Sequence, residues 1–189
     1  MWLFPSPRSV VSSAIALGCL GLAACPVTAQ SFSSPTTLAT RLPTVSPFLQ
    51  AYRDTSGRFE IALPADYAVT NTPTGLLFAS PDGGFGGMVD TGSAQGQWFS
   101  LEDLETALKT EFEQRLSHIT WQGSYAHNQG GVRIDWVGED PAGNQLDAIS
   151  FIQQQGDTIF VLTMWGINTA YSTYNDDADA IFATYRIQP

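Results

Sequence analysis

The stretch at residues 119–166 constrains the fold most, because short alternating apolar runs are separated there by turn residues. Three turn signals divide it, at residues 129–131 (QGG), 140–144 (DPAGN) and 156–157 (GD). Alternation with a period of two is typical of strands that bury one face, and Gly, Asn, Asp and Pro mark the connections between them. The stretch therefore predicts four consecutive antiparallel strands.

Side-chain matching predicts the register of the last three of these strands, because a slip of one residue would reverse the two faces of a strand. A four-residue loop at 141–144 and a two-residue turn at 156–157 are assumed. This register aligns apolar side chains in two rows: Ile134, Phe151 and Leu162 in one, and Trp136, Ile149 and Met164 in the other.

The same register places Asp135, Ser150 and Thr163 in one polar row, with Arg133 two residues from Asp135. One interpretation is a satisfied polar row, in which the carboxylate accepts from the two hydroxyls and is balanced by the arginine. The other interpretation is the floor of a small ligand site. The candidate ligand-site residues are therefore Arg133, Asp135, Ser150 and Thr163.

A second alternating run opens the packed part of the chain at residues 57–67 (GRFEIALPADY). Its first seven residues are typical of a strand with one buried face. Pro64 has no N–H for a strand ladder, so a turn is predicted directly after the strand. Further strands are predicted at residues 75–80 and 86–91.

Residues 101–116 carry the pattern of an amphipathic helix. Ser100 can cap it, with Asp103 three residues later in the manner of a capping box. Glu105 precedes Lys109 by four residues, a spacing that supports an ion pair on a helix surface. The apolar residues that share one face of this helix are Leu101, Leu104, Leu108, Phe112 and Leu116.

The strands at 145–155 and 158–166 carry apolar residues on both faces, so we expect the sheet to be covered on both sides. A closing helix is predicted at residues 168–183, before an edge strand at 185–187. Together these elements predict an α+β domain with an antiparallel β-sheet of about six strands. Helices would lie on both faces of that sheet, as in an α/β/α sandwich.

Residues 1–24 have the composition of a secretory signal peptide, with the basic Arg8 followed by an apolar stretch that ends in small residues. This stretch is shorter than the about 20 residues that a transmembrane helix needs. The sequence LAAC ends at Cys25 and matches the lipobox of bacterial lipoproteins, in which the cysteine carries a diacylglycerol. Cleavage after Ala29 is the alternative, because the residues before it (VTA) suit an ordinary signal peptidase. Both alternatives predict export.

Residues 25–50 are rich in Ser, Thr and Pro and predict a flexible tether, which leaves residues 51–189 as the domain. A lipid on Cys25 would hold this domain close to a membrane, in the periplasm or the thylakoid lumen. Cleavage after Ala29 would instead release it as a secreted soluble protein.

The charge and cysteine content exclude several classes of function. The chain has 8 basic and 18 acidic residues, with a formal net charge of −10 at pH 7, whereas nucleic-acid binding relies on a basic surface. No nucleic-acid partner is therefore expected. The two cysteines, Cys19 and Cys25, precede the domain, so no thiol nucleophile or cysteine metal site is predicted in it. His118 and His127 lack the spacing of a paired-histidine metal site, and we predict no cofactor.

Two short patterns resemble ligand sites without their defining spacing. The glycine run at residues 83–87 (GGFGG) lacks the GxGxxG spacing, so a hairpin with close backbone packing is favoured over a phosphate loop. The acidic run at residues 176–179 resembles a calcium loop, but Ala178 and Ala180 occupy positions where such a loop needs ligands or glycine. Neither pattern predicts a site.

The order of strands, helix, strand meander and closing helix resembles the PsbP-like superfamily. Its domains often begin with an aromatic residue, a Gly-Phe pair near a strand and a turn containing proline. The residues that fill this pattern here are Tyr52, Gly57, Phe59, Pro64 and Tyr67. The resemblance implies a central antiparallel sheet between helices and non-enzymatic binding to other macromolecules. Members include lumenal photosystem II subunits and assembly factors, bacterial envelope lipoproteins and a Ran-binding protein.

We therefore expect an extracytoplasmic, lipid-anchored protein without catalytic activity that binds a protein partner or assists the assembly of a membrane complex. An exposed patch would make the contact, and the candidates for it are Trp98, Phe99 and Tyr171, although burial in the core is the favoured interpretation for each of these aromatic side chains. A monomer is favoured. The alternative is a small envelope ligand-binding protein or hydrolase with a polar site around Asp135, Arg133 and His127.

Overall fold

A computed structural model of the chain describes residues 48–127 and 130–188. The predicted signal peptide and Cys25 lie outside these residues, as does the tether up to residue 47. The strands are β1 Leu49–Arg53, β2 Phe59–Pro64, β3 Ala68–Asn71, β4 Gly75–Ala79, β5 Phe85–Ser93, β6 Ser117–His127, β7 Gly131–Glu139, β8 Gln145–Gln155, β9 Thr158–Ile167 and β10 Arg186–Ile187. The helices are α1 Leu101–Arg115 and α2 Asn175–Thr184, with a 3₁₀ turn, Tyr171–Tyr174, directly before α2.

The strands form two antiparallel sheets, one of seven strands in the order β3-β4-β5-β9-β8-β7-β6 and one of three in the order β1-β2-β10. The architecture is α+β, as expected. One sheet of about six strands was expected, and the second sheet is a departure from that prediction. Its physical reason is that alternation in a sequence shows which face of a strand is buried but not which strand lies beside it.

The predicted strand at the start of the domain is β2, and its alternation holds. Phe59, Ile61 and Leu63 are each no more than 1% exposed, whereas Glu60 and Ala62 between them are only partly buried. Burying a large apolar side chain stabilises a fold by roughly 1.5–3 kcal/mol. This strand therefore anchors the three-stranded sheet to the rest of the molecule.

Strand β1 was not predicted, and it begins at Leu49, two residues before the expected domain boundary at residue 51. Four of its five residues are exposed, so no alternation marks it in the sequence. Its backbone pairs with β2, with Tyr52 opposite Ile61. Main-chain hydrogen bonds to a buried neighbour thus form this strand, because its own side chains bury little apolar surface.

Helix α1 confirms the predicted cap. The Ser100 hydroxyl accepts from the N–H of Asp103 at 3.1 Å, and the Asp103 carboxylate accepts from the N–H of Ser100 at 3.0 Å. Lys109 and Glu105 form the expected ion pair at 2.5 Å. Leu101, which was expected on the buried face, is 41% exposed. The residues of the helix that are buried are Leu104, Leu108 and Phe112.

Two apolar clusters form the core. The first joins β2, α2 and the seven-stranded sheet through residues that include Phe59, Ile181 and Leu162. The second joins α1 to the seven-stranded sheet and includes Leu108 and Val161. Successive residues of β9 therefore belong to different clusters, as the alternation of side chains along a strand requires.

The predicted closing helix at 168–183 is divided into the 3₁₀ turn and α2, and the predicted edge strand is β10. Arg186 and Ile187 of β10 pair with Glu60 and Phe59 of β2. Strand β10 therefore lies beside the strand with which the domain core begins.

The predicted register of β8 and β9 is confirmed, with Phe151 opposite Leu162 and Ile149 opposite Met164. The predicted register of β7 and β8 is wrong by one residue. Ile134 lies opposite Ser150 rather than Phe151, and Trp136 lies opposite Ala148 rather than Ile149. Accordingly, Asp135 lies opposite Ile149, and Arg133 lies opposite Phe151.

The turn between β7 and β8 explains this difference. It spans five residues, 140–144, because Glu139 pairs with Gln145. The Asp140 carboxylate accepts from the N–H groups of Ala142 at 2.8 Å and Asn144 at 2.9 Å. Gly143 has a φ of +85°, a conformation that favours glycine. The side chain of Asp140 thus closes a loop one residue longer than the predicted one.

Candidate functional site

The structure separates the four candidate ligand-site residues into two pairs. Ser150 and Thr163 lie opposite one another, and their hydroxyl oxygens are 3.0 Å apart. Asp135 lies opposite Ile149, one position from Ser150, so it points to the other face of the sheet. The polar row predicted from the sequence is therefore not formed, because the one-residue shift of β7 reverses its faces.

Ser150 and Thr163 belong to a buried hydrogen-bond network. The indole Nε1–H of Trp136 donates to the Ser150 hydroxyl at 2.9 Å, and Ser150 shares a hydrogen bond with Thr163. All three residues are no more than 2% exposed. The network satisfies the indole N–H that would otherwise be buried without a partner, so its role is in the core.

Arg133 and Asp135 form a bidentate ion pair on β7. Arg133 Nε donates to Asp135 Oδ1 at 2.7 Å, and its Nη2 donates to Oδ2 at 3.0 Å. This hydrogen bond to Asp135 raises the pKa of Arg133 above its ordinary value. The two parallel hydrogen bonds fix the orientation of both side chains, and the positive charge of Arg133 compensates the negative charge of Asp135.

His127 lies on the edge strand β6, against Phe151 and Phe182. It lines a small cleft, whereas neither Arg133 nor Asp135 is among the described residues that line it. The three side chains that a ligand-binding protein or hydrolase around Asp135 would use are therefore not brought into one cavity.

Trp98, on the segment between β5 and α1, is 78% exposed. Phe99 next to it packs against the second core cluster, and Tyr171 packs against the first. The favoured core position is thus found for Phe99 and Tyr171, and Trp98 is the one of the three candidates for a contact patch whose ring faces solvent. Leu101, at the start of α1, is also exposed and adds apolar surface close to it in the chain.

Hydrogen bonds from the end of β8 and from the turn after it hold the backbone around Trp98. The Asp157 carboxylate accepts from the N–H of Gly96 at 2.5 Å. The side-chain oxygen of Gln154 accepts from the N–H of Phe99 at 2.9 Å. The amide nitrogen of the same side chain donates to the carbonyl oxygen of Gln97, the residue before Trp98, at 2.7 Å. Because both neighbours of Trp98 are fixed, little backbone ordering remains for a binding event to impose.

Exposed carboxylates lie close to Trp98 in the chain and in the turn that holds its segment. Glu102 and Asp103 lie in the first turn of α1, and Asp157 lies in the turn that holds the Trp98 segment. The hydrogen bond with Ser100 holds the pKa of Asp103 below its ordinary value, so this carboxylate is charged at neutral pH. The exposed indole thus has acidic residues close to it in the chain and in the turn that holds its segment.

Sequence reasoning missed Asp90, a residue of β5 that is 3% exposed. Burial raises the pKa of its carboxyl to about 6, although hydrogen bonds from Thr74 and Thr91 act in the opposite direction. Its Oδ1 has no hydrogen-bond partner among the described residues. The signal that could have revealed it is an aspartate within the predicted strand at residues 86–91, directly after Val89.

The two weak motifs take structural roles. Gly87 of the glycine run lies in β5, where a Cβ would come within 2.3 Å of the Phe78 ring, which agrees with the predicted close packing of a hairpin. In the acidic run, Asp177 accepts a hydrogen bond from the Tyr67 hydroxyl at 2.6 Å. Across residues 48–127 and 130–188, no three His, Cys, Asp or Glu side chains form a group that could hold a metal ion.

No helix in the part of the chain that the structure describes has the length and apolar character needed to cross a membrane.

Comparison with known proteins supports the fold. No protein-family profile and no curated protein matches the chain. The solution structure of cyanobacterial PsbP (CyanoP) from Synechocystis sp. PCC 6803 is similar, with a TM-score of 0.52 and 11% identity over 77% of this chain and 95% of that chain. A crystal structure from Bacteroides thetaiotaomicron VPI-5482 has a TM-score of 0.50 and 12% identity, over 77% of this chain and 50% of that chain. This chain has a PsbP-like fold.

Proposed function

We propose that this protein is a non-enzymatic binding or assembly-accessory protein of a membrane complex, located outside the cytoplasm and anchored by a lipid on Cys25. The observation that carries the proposal is Trp98, a large aromatic side chain held in solvent by a fixed backbone. The fold that the chain shares with cyanobacterial PsbP is compatible with such a role. The membrane to which the lipid is anchored would face the periplasm or the thylakoid lumen.

In this proposal the domain is a layered scaffold that presents the Trp98 segment. Helix α1 covers one face of the seven-stranded sheet, and α2 with the three-stranded sheet covers the other. The membership of the two core clusters supports this arrangement. A sheet covered on both sides leaves loops and edges as the surfaces available for a partner.

The partner surface would be an apolar pocket with a rim of Lys or Arg side chains. Trp is among the residues that most often dominate the energy of an interface, when a pocket desolvates its ring. The carboxylates of Glu102, Asp103 and Asp157 supply the negative side of a complementary rim. Such charges raise the rate of association more than the final affinity.

Trp98→Ala is expected to weaken partner binding and leave the fold intact. Loss of a central indole costs about 2 kcal/mol of binding energy, which is roughly a 30-fold loss of affinity. The free energy of unfolding should change by less than about 0.5 kcal/mol, because the side chain is exposed. Photo-crosslinking of the full chain in its native membranes would follow partner binding. Urea denaturation would measure the free energy of unfolding.

Phe48→Ala is the matched control, because Phe48 is also an exposed aromatic residue, at 92% exposure. The crosslinked species should persist in this control and disappear in Trp98→Ala. Equal crosslinking of the wild type and both variants would contradict the proposed contact.

Cys25→Ser tests the anchor independently. In the wild type, a radiolabelled fatty acid should be incorporated and the protein should sediment with membranes, because a diacylglycerol buries many CH₂ groups in the bilayer. The variant should lose the label and move to the soluble fraction. Unlabelled, soluble wild type with an N-terminus after Ala29 would support the alternative cleavage and contradict the lipid anchor.

A further inference from the structure

A small cleft lies between the end of α2 with β10 and the neighbouring ends of β6, β7 and β8. Its volume is about 170 Å³, close to the roughly 150 Å³ of an engineered protein cavity that holds a benzene molecule. The side chains that can select a ligand are His127, Phe151, Gln153, Phe182, Tyr185 and Arg186.

Three rings form an ordered wall on one side of the cleft. Phe151 and Phe182 are stacked, with ring centroids 4.2 Å apart and planes at 26°. His127 meets both rings edge-on, at 5.9 Å from Phe151 and 5.5 Å from Phe182. These rings come from β6, β8 and α2, so the wall is supported by three separate elements. A planar apolar group is the natural complement of such a surface.

Arg186 gives the cleft its charge. Among the lysines and arginines of residues 48–127 and 130–188, it alone has no acidic partner within salt-bridge distance. Its Nη1 donates to the carbonyl oxygen of Tyr185 at 2.7 Å, which leaves the other guanidinium N–H groups for a ligand. The carboxylate nearest to it in the strand pairing, Glu60, is engaged by Arg53 at 3.2 Å.

The chemistry of these groups specifies a ligand. A guanidinium binds a carboxylate through two parallel hydrogen bonds, and the Gln153 amide can add a further donor. The net charge of −10 repels anions at long range. Salt screens exposed charges beyond about 8 Å at physiological ionic strength, so the nearby charge of Arg186 determines whether an anion is attracted to the cleft.

We propose that this cleft binds a small aromatic carboxylate, with its ring against Phe182 and His127 and its carboxylate on Arg186. The site would be distinct from the Trp98 surface and does not depend on the function proposed for that surface. It gives the domain a capacity to bind a metabolite of the size of benzoate.

The test is an NMR titration of the purified full-length chain with benzoate, and with benzamide as the neutral isostere. Benzoate should give saturable shifts at His127, Phe182 and the Arg186 side chain, and benzamide should bind at least about tenfold more weakly. Arg186→Gln should lower the benzoate affinity at least about tenfold, whereas Lys109→Gln, which removes the same charge on α1, should not change it.

Arg186→Lys should bind benzoate with an intermediate affinity, because it keeps the charge and loses the planar fork. Equal affinities for benzoate and benzamide in the wild type would overturn the proposal without reference to any variant. Shifts confined to other parts of the domain, or no saturable binding of benzoate at millimolar concentration, would overturn it as well.

Discussion

Gly75→Ala is expected to destabilise the domain by about 3 kcal/mol or more, which is the largest effect that we predict for a single methyl group. Gly75 begins β4 and pairs with Asp90 of β5. A Cβ at this position would lie 2.0 Å from the carbonyl oxygen of Val89 and 2.8 Å from its carbonyl carbon. Because these are backbone atoms inside a strand ladder, they cannot move aside without disturbing the pairing of β5 with β4.

Gly92→Ala is the matched control, since Gly92 lies in β5 and a Cβ there would meet no atom within 4 Å. Alanine should leave the stability unchanged or raise it by about 0.5 kcal/mol, because glycine loses more conformational freedom on folding. Urea denaturation of the wild type and the two variants would measure the difference. Similar unfolding midpoints for Gly75→Ala and the wild type would show that β4 and β5 are not packed as closely as the structure places them.

Asp90→Asn is expected to stabilise the domain at neutral pH by up to about 3 kcal/mol. The pKa of Asp90 is raised by burial from 3.8 to about 6, and a difference of one pKa unit corresponds to about 1.4 kcal/mol. Above pH 6 the folded state holds a buried, charged carboxylate whose Oδ1 has no hydrogen-bond partner among the described residues. Asparagine keeps an acceptor for the Thr74 hydroxyl and removes the charge.

The pH dependence follows from the same shift. Between about pH 4 and pH 6 the folded state binds the proton of Asp90 more tightly than the unfolded state does, so this group's contribution to stability falls as the pH rises. Above about pH 6 this loss of stability is complete and no longer changes with pH. The pKa values of Asp54 and Asp140 are lowered instead, so their contributions are lost as the pH falls below about 4. The difference in unfolding free energy between wild type and Asp90→Asn isolates the contribution of Asp90.

Urea denaturation between pH 4 and pH 8 would measure this difference. It should be small at pH 4 and should reach its full size near pH 7. Asp66→Asn, at an exposed position in the turn after β2, serves as the control and should change the unfolding free energy little at any pH. A constant difference between wild type and Asp90→Asn across this range would contradict a raised pKa.

Features determined by neighbouring residues could be predicted. Ser100 and Asp103 mark the start of α1 through hydrogen bonds that span three residues. The turn at residues 156–157 sets the register of β8 and β9, because a two-residue connection leaves a single alignment of the flanking strands. In both cases the decisive contacts lie within one turn of the chain.

The candidate polar site could not be predicted with the loop that was assumed. Asp140, Gly143 and Asn144 form a five-residue turn, and the extra residue moved Asp135 to the opposite face from Ser150. This signal is local, so a closer reading of the loop could have found it. The packing of Phe182 on Phe151 and the exposure of Trp98 had no comparable signal, because each depends on elements distant in the chain.

By itself, the amino-acid sequence determined the types of the main elements and the buried faces of β2 and of most of α1, because periodicity and caps act over a few residues. Only the tertiary structure decided that β2 belongs to a separate sheet with β1 and β10, and that Asp90 lies buried between Gly75 of β4 and Val161 of β9. These outcomes depend on which distant strands come to lie side by side. The burial of each apolar face favours some partner, but it does not specify which one.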